Sequence, residues 1–118
     1  MTEAARTQPA TAELRAAILE LIAKPTYPFL ITTTTSDVPY SRPVICVNDG
    51  FTIRMVTRRR SKKMVHIRHN PCASLLWIDP PRSVLLQGVV TLSEDVAGFY
   101  EAYRRKNPRR ERFGAEAD

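Results

Sequence analysis

Residues 38–56 read Val38-Pro39-Tyr40-Ser41-Arg42-Pro43-Val44-Ile45-Cys46-Val47-Asn48-Asp49-Gly50-Phe51-Thr52-Ile53-Arg54-Met55-Val56, and their alternation decides the fold class. Val38, Tyr40, Val44 and Cys46 fall on even positions, and Ser41, Ile45 and Val47 on odd ones. That is the period of a strand, whose successive side chains face opposite sides of a sheet. Asn48-Asp49-Gly50 supplies residues that tolerate positive φ, the chemistry of a hairpin turn. Phe51, Ile53 and Met55 then alternate with Thr52, Arg54 and Val56, as a half-buried return strand does. Upstream, Phe29-Leu30-Ile31-Thr32-Thr33-Thr34-Thr35 is rich in β-branched side chains until Ser36-Asp37 breaks it. The spacing predicts three strands, over 29–35, 38–47 and 51–56, in an antiparallel meander.

The segments outside this region switch period. Leu14, Ile18, Leu21 and Ile22 recur at helical spacing behind Thr11, a side chain suited to an N-cap, and Pro25 ends the run. A helix is predicted over 11–24. Ser61 can cap a second, short helix reaching about Arg68, with Met64 and Ile67 facing inward and Asn70-Pro71 stopping it. Residues 72–78 are apolar on both alternations, which predicts a strand covered on both faces. After an Asp79-Pro80-Pro81-Arg82 loop, Val84, Leu86, Val90 and Leu92 hold one face of a further strand, with Gly88 as a candidate bulge. Ser93-Glu94-Asp95 opens a last helix whose apolar side is Phe99, Tyr100 and Tyr103. Residues 1–10 read as a mobile lead-in, and 107–118, charged and interrupted by Pro108, as a frayed tail. Strands at short intervals without βαβ alternation predict a single, mainly β domain over 1–118: an antiparallel barrel or sandwich with flanking helices.

Composition narrows the function classes. The chain has 118 residues, 43% hydrophobic and 25% charged, proportions that exclude wholesale disorder. It shows neither an apolar run long enough to span a bilayer nor a signal peptide's apolar stretch, so a cytoplasmic location is expected. Cys46 and Cys72 are expected as buried, unreactive thiols of a reducing compartment. Lys and Arg number 18 against 12 acids, a net charge of +6, which favours a polyanionic or phosphorylated partner.

The densest chemical signal is Thr57-Arg58-Arg59-Arg60-Ser61-Lys62-Lys63, between a strand end and a helix start. Unpaired N–H groups of the helix N-terminus, two hydroxyls and several cations suit a phosphate. The same run could hold nucleic-acid backbone through ion pairs, but few aromatics interleave to stack bases. Arg42, a charge inside an apolar strand, needs a carboxylate or a cofactor, and the cofactor is favoured. His66 and His69 sit at i, i+3 without a Cys or acidic ligand at metal-site spacing, so zinc is not expected. Trp77 reads as core or subunit interface. No acid–base pair or nucleophile stands out; where a cofactor carries the chemistry none is needed, so the absence does not separate an enzyme from a carrier or sensor.

Between Phe29 and Leu92 the chain resembles the flavin-binding split-barrel family, which includes the pyridoxamine-phosphate oxidases and the general-stress flavoproteins. The resemblance rests on Ser41-Arg42-Pro43-Val44, Asn48-Asp49-Gly50, Val56-Thr57, Ser61-Lys62-Lys63, His69-Asn70-Pro71 and Val84-Leu85-Leu86-Gln87-Gly88, in that order. It implies a six-stranded antiparallel split β-barrel that pairs as a homodimer, with a flavin mononucleotide (FMN) in each of two clefts between subunits. Arg42 would sit beside the isoalloxazine within the motif that continues through Pro43 and Val44. Val56 and Thr57 would lie along the ring and ribityl chain. Ser61, Lys62 and Lys63, behind Arg58, would hold the phosphate, and Ser83 would reach the flavin from the partner subunit. The chain lacks the C-terminal substrate signature of the vitamin B6 oxidases, so that activity is not expected. Arg58-Arg59-Arg60 is more basic than one phosphate requires, which suits the deazaflavin branch of the same fold as the alternative.

Overall fold

The computed structural model describes residues 11–106, so the lead-in and tail assigned to 1–10 and 107–118 lie outside the described residues. Helix α1 (Ala12–Ile22) begins as predicted, with the Thr11 Oγ1 accepting from the Leu14 N–H at 3.0 Å. It lays Leu21 and Ile22 into the main core.

Strands β1 (Phe29–Thr33) and β2 (Pro39–Pro43) pair antiparallel, with Leu30 opposite Arg42 and Thr32 opposite Tyr40. The expected long strand 38–47 is broken: β3 (Cys46–Asp49) leaves β2 and pairs with β4 (Thr52–Met55) in a sheet of its own. The meander is therefore two hairpins in two sheets. The break follows from Pro43, which has no N–H to continue a ladder, while the Val44 N–H turns to the Pro28 carbonyl at 2.9 Å. Pro39 and Pro43 bracket β2, the edge strand of its sheet, where a missing donor costs least. The β3–β4 turn is made by Gly50, at φ +58°, and Phe51.

Helix α2 (Lys62–His69) starts at Ser61, whose Oγ accepts from the Met64 N–H at 3.3 Å; Met64 and Ile67 are buried as expected. It packs on β1. Strands β5 (Cys72–Asp79) and β6 (Arg82–Val89) complete a four-stranded sheet in the order β2-β1-β5-β6. Their register runs unbroken from Cys72 opposite Val89 to Asp79 opposite Arg82, so Gly88 marks no bulge, and nothing lies within 4 Å of where its Cβ would stand. Leu92 falls beyond β6 and is exposed. Helix α3 (Val96–Lys106) is opened by Asp95, whose carboxylate accepts from the Gly98 N–H at 3.0 Å, and it packs on β3.

One face of the four-stranded sheet is the core: Leu30, Leu75 and Trp77 pack with Leu21, Ile22, Val44 and Cys46. Val47, Phe99, Tyr100 and Tyr103 form a second cluster under α3. The other sheet face is open. There Phe29, Leu85, Ile78 and Val89 are exposed, and β5, expected to be covered on both sides, is covered on one within the chain. Cys46 is buried as expected; Cys72 is not, because its position at the start of β5 points to that open face. The architecture is mainly β, with antiparallel sheets and three helices among the described residues. No helix among them is long and apolar enough to cross a membrane.

Candidate functional site

Arg42 and Tyr40 are two residues apart on β2 and so project from one face, the face that α2 overhangs. Thr32 lies directly across from Tyr40 and diagonal to Arg42. The Arg42 Nη1 donates to the Thr32 Oγ1 at 2.6 Å and to the Tyr40 carbonyl at 2.8 Å, with the Leu30 carbonyl at 3.5 Å. Its Nη2 is buried and meets no acceptor. The guanidinium lies 4.9 Å from the centre of the Tyr40 ring, and the Lys62 ammonium 5.8 Å from the same centre.

Helix α2 supplies the opposite wall. Lys63 is half-buried, and its pKa is pushed down by burial and then by Arg42. His66 is buried one turn on, its ring edge-on to Tyr40 at 5.3 Å and its Nδ1 2.8 Å from the Thr32 Oγ1. Burial, then Arg42, Lys62 and His69, lower its pKa below the ordinary imidazole value. Burial likewise lowers the pKa of Arg42, against the pull of Tyr40. Among the described residues none of Arg42, Lys62 and Lys63 is ion-paired with a carboxylate; the acids that do pair, Asp37 and Asp79, engage His69, Lys24 and Arg82. A buried donor without an acceptor, among cations without counter-charges, fits an anionic ligand.

The structure brings together Arg42, Lys62 and Lys63, with the Ser61 cap alongside. Thr57 joins them through a 2.8 Å hydroxyl contact with Ser61, and the Arg58 carbonyl accepts from the Ser61 N–H at 3.1 Å. Other expected residues lie apart. The Val44 side chain is in the main core, Val56 packs against the second cluster, and Pro43 is exposed at the end of β2. Ser83 stands on β6, at the opposite edge of the sheet from β2, on the open face. The sequence marks Thr32 and Tyr40 only as strand positions and His66 only as half of a histidine pair unsuited to zinc; none of the three was expected at the site. A polar Thr32 sharing a strand face with Leu30 was the available signal; the approach of His66 had none, because α2 reaches β1 only in the tertiary fold.

Comparisons with known proteins agree with this architecture. The family model described as Pyridoxamine 5'-phosphate oxidase matches residues 14–117. Among the curated proteins none matches. Among solved structures, General Stress Protein 26 from Bacillus anthracis is similar at 22% identity and a TM-score of 0.67, over 80% of this chain and 76% of that one. An F420 reductase is similar at 21% identity and a TM-score of 0.65, over 75% of each chain. A heme binding protein from Mycobacterium smegmatis aligns at 19% identity and a TM-score of 0.63, over 88% of this chain and 46% of that one. At these identities the solved structures speak for the fold. The family match, which spans nearly the whole chain, goes further: the chain belongs to the pyridoxamine 5'-phosphate oxidase family.

Proposed function

We propose that the protein binds FMN and works as a small flavin-dependent oxidoreductase of this family, distinct from the vitamin B6 oxidases. The observation that carries the reading is the buried, unpartnered Nη2 of Arg42 beside Lys62, Lys63 and the capped start of α2. In this reading Ser61, Lys62 and Lys63 hold the phosphate, and Arg42 takes an acceptor of the ring system. Thr57 and Arg58 flank the phosphate loop, while Val56, Pro43 and Val44, whose side chains face elsewhere, would meet the flavin through their backbone. The bound flavin supplies hydride or electron transfer; the chain's part is to bind and orient it and to offset negative charge with Arg42.

The same reading makes the two sheets halves of a six-stranded split barrel, and the molecule a homodimer with the cofactor between subunits. The open face of the four-stranded sheet supports it, since Phe29, Leu76 and Leu85 stand in one row across three strands. Ser83 shares that face, as a residue reaching a partner's cofactor would. A deazaflavin is the second reading of the same site, favoured by the exposed Arg58, Arg59 and Arg60 and by the likeness to an F420 reductase. A carrier or sensor would use the same binding site and differ only in lacking turnover.

Titration of the purified protein with FMN, riboflavin, F420 and an oligonucleotide tests these alternatives. FMN binding tighter than riboflavin is expected. Colour that bleaches with a reduced nicotinamide and returns in air marks turnover, and binding of the oligonucleotide alone overturns the reading.

A further inference from the structure

Among the described residues Arg42 is held through Nη1. Nη1 meets all three of its acceptors, the Thr32 hydroxyl and the Tyr40 and Leu30 carbonyls, while Nη2 meets none. Of the three, only Thr32 contributes a side chain, and that side chain is itself held. Its hydroxyl has one proton and two lone pairs. A guanidinium only donates, so Arg42 occupies a lone pair, and the hydroxyl proton is left to point at the His66 Nδ1, 2.8 Å away.

We propose that Thr32 and His66 are positioning residues for Arg42: neutral His66, protonated on Nε2, accepts the Thr32 hydroxyl proton at Nδ1, and this fixes the oxygen lone pair on Nη1 and turns Nη2 to the ligand. The inference rests on the reading of Arg42 as a ligand-binding residue. The surroundings of His66 favour the neutral ring. Arg42 and Tyr40 face it from β2 and Thr32 from β1, and on its own helix Lys62, Lys63 and His69 stand within a turn, with no carboxylate of the described residues against it. Protonation at Nδ1 would bring a second donor to the Thr32 oxygen and deprive the hydroxyl proton of its acceptor.

The test compares Thr32→Val, which removes the hydroxyl at nearly constant shape, with Thr32→Ser, which restores it. In the ligand-free protein, long-range nitrogen–proton NMR spectra are expected to show His66 protonated on Nε2 in the parent and in Thr32→Ser. In Thr32→Val they are expected to show the tautomer preference lost and the Arg42 guanidinium signals averaged. With FMN or F420, whichever the parent binds, Thr32→Val should lose about tenfold in affinity, and Thr32→Ser should keep the parent's. Should Thr32→Val not fold, His66→Leu against His66→Gln makes the same comparison, because the Gln oxygen can accept the same proton. A His66 protonated on Nδ1, or Arg42 signals unchanged by loss of the hydroxyl, overturns the positioning role. A parent that binds neither cofactor overturns the proposed function instead, and the NMR comparison still decides whether Thr32 and His66 hold Arg42.

Discussion

Lys62 and Lys63 are neighbours in sequence with different surroundings. Lys62 is exposed and reaches over the Tyr40 ring, whereas Lys63 is half-buried beside Arg42. Charge-assisted hydrogen bonds to a phosphate are worth roughly 1.5–3 kcal/mol each. Replacing either lysine by Ala is therefore expected to weaken FMN binding by about tenfold or more, since about 1.4 kcal/mol is one decade. Riboflavin, which lacks the phosphate, should bind parent and variants alike in a fluorescence titration, and an equal loss for both ligands would move the lysines from the phosphate to the ring. His66 makes a second expectation, about stability. Its pKa in the folded chain lies below the ordinary 6.5, from burial first and then from Arg42, Lys62 and His69. Well above 6.5 the ring is neutral both folded and unfolded and contributes no pH dependence. As pH falls through that value, the unfolded chain takes up a proton that the folded chain refuses, so stability falls until the folded pKa is passed. Urea midpoints measured at about pH 7.5 and pH 5.5, above most carboxylate titration, should drop on acidification in the parent and drop less in His66→Gln.

At the scale of the element, two glycines in strands and turns have opposite expectations. Gly50 turns the β3–β4 hairpin at φ +58°, a region where an L side chain costs about 1–2 kcal/mol. Gly88 sits in β6 opposite Ala73, with open space where its Cβ would be. Gly50→Ala should therefore lower the unfolding free energy by about 1 kcal/mol, while Gly88→Ala should leave it unchanged or raise it slightly. Chemical denaturation of the two variants side by side checks this, and equal effects would mean that the hairpin relaxes its turn. Helix α2 shows how one element serves two ends. Its cap at Ser61 places Lys62 and Lys63 at the positive end of the helix, and its buried face carries Met64 and Ile67 with His66 between them.

For the whole molecule, the open sheet face governs behaviour. Leu85, Val89 and Ile78 are each more than half exposed there, at 53%, 69% and 52%, next to Phe29 and Leu76, and a contiguous apolar surface of this kind marks an interaction site. A second copy buries it in the proposed homodimer. Leu85→Asp puts a charge in the middle of that face without touching the core side of β6, where Val84 and Leu86 pack. Sedimentation at micromolar concentration is expected to show a dimeric parent and a monomeric Leu85→Asp variant that keeps its far-ultraviolet spectrum. Because Ser83 would come from the partner, the monomer should also bind FMN more weakly; a parent that sediments as a monomer with cofactor present would overturn both the dimer and the shared cleft.

Local signals in the chain determined the elements. Thr11 and Ser61 cap the helices they were expected to cap, because capping depends on a hydroxyl and an N–H three residues on. The β3–β4 hairpin was legible in Asn48-Asp49-Gly50, but Asn48 and Asp49 pair within β3 and the turn falls on Gly50 and Phe51, which was expected in the return strand. Arg42, Lys62 and Lys63 were legible as candidates because a charge in an apolar strand and cations at a helix start stand out in composition alone. The division of 38–47 between two sheets was not, since alternation continues through Pro43 while the ladder does not. Cys72 looked buried because its strand is apolar on both faces, and only the placement of α1 and the other sheet decides which of those faces is covered. Nothing in the sequence links Thr32 to His66, 34 positions on. That contact, and with it the orientation of Arg42, exists only because α2 folds back over β1, a long-range packing that no local pattern encodes.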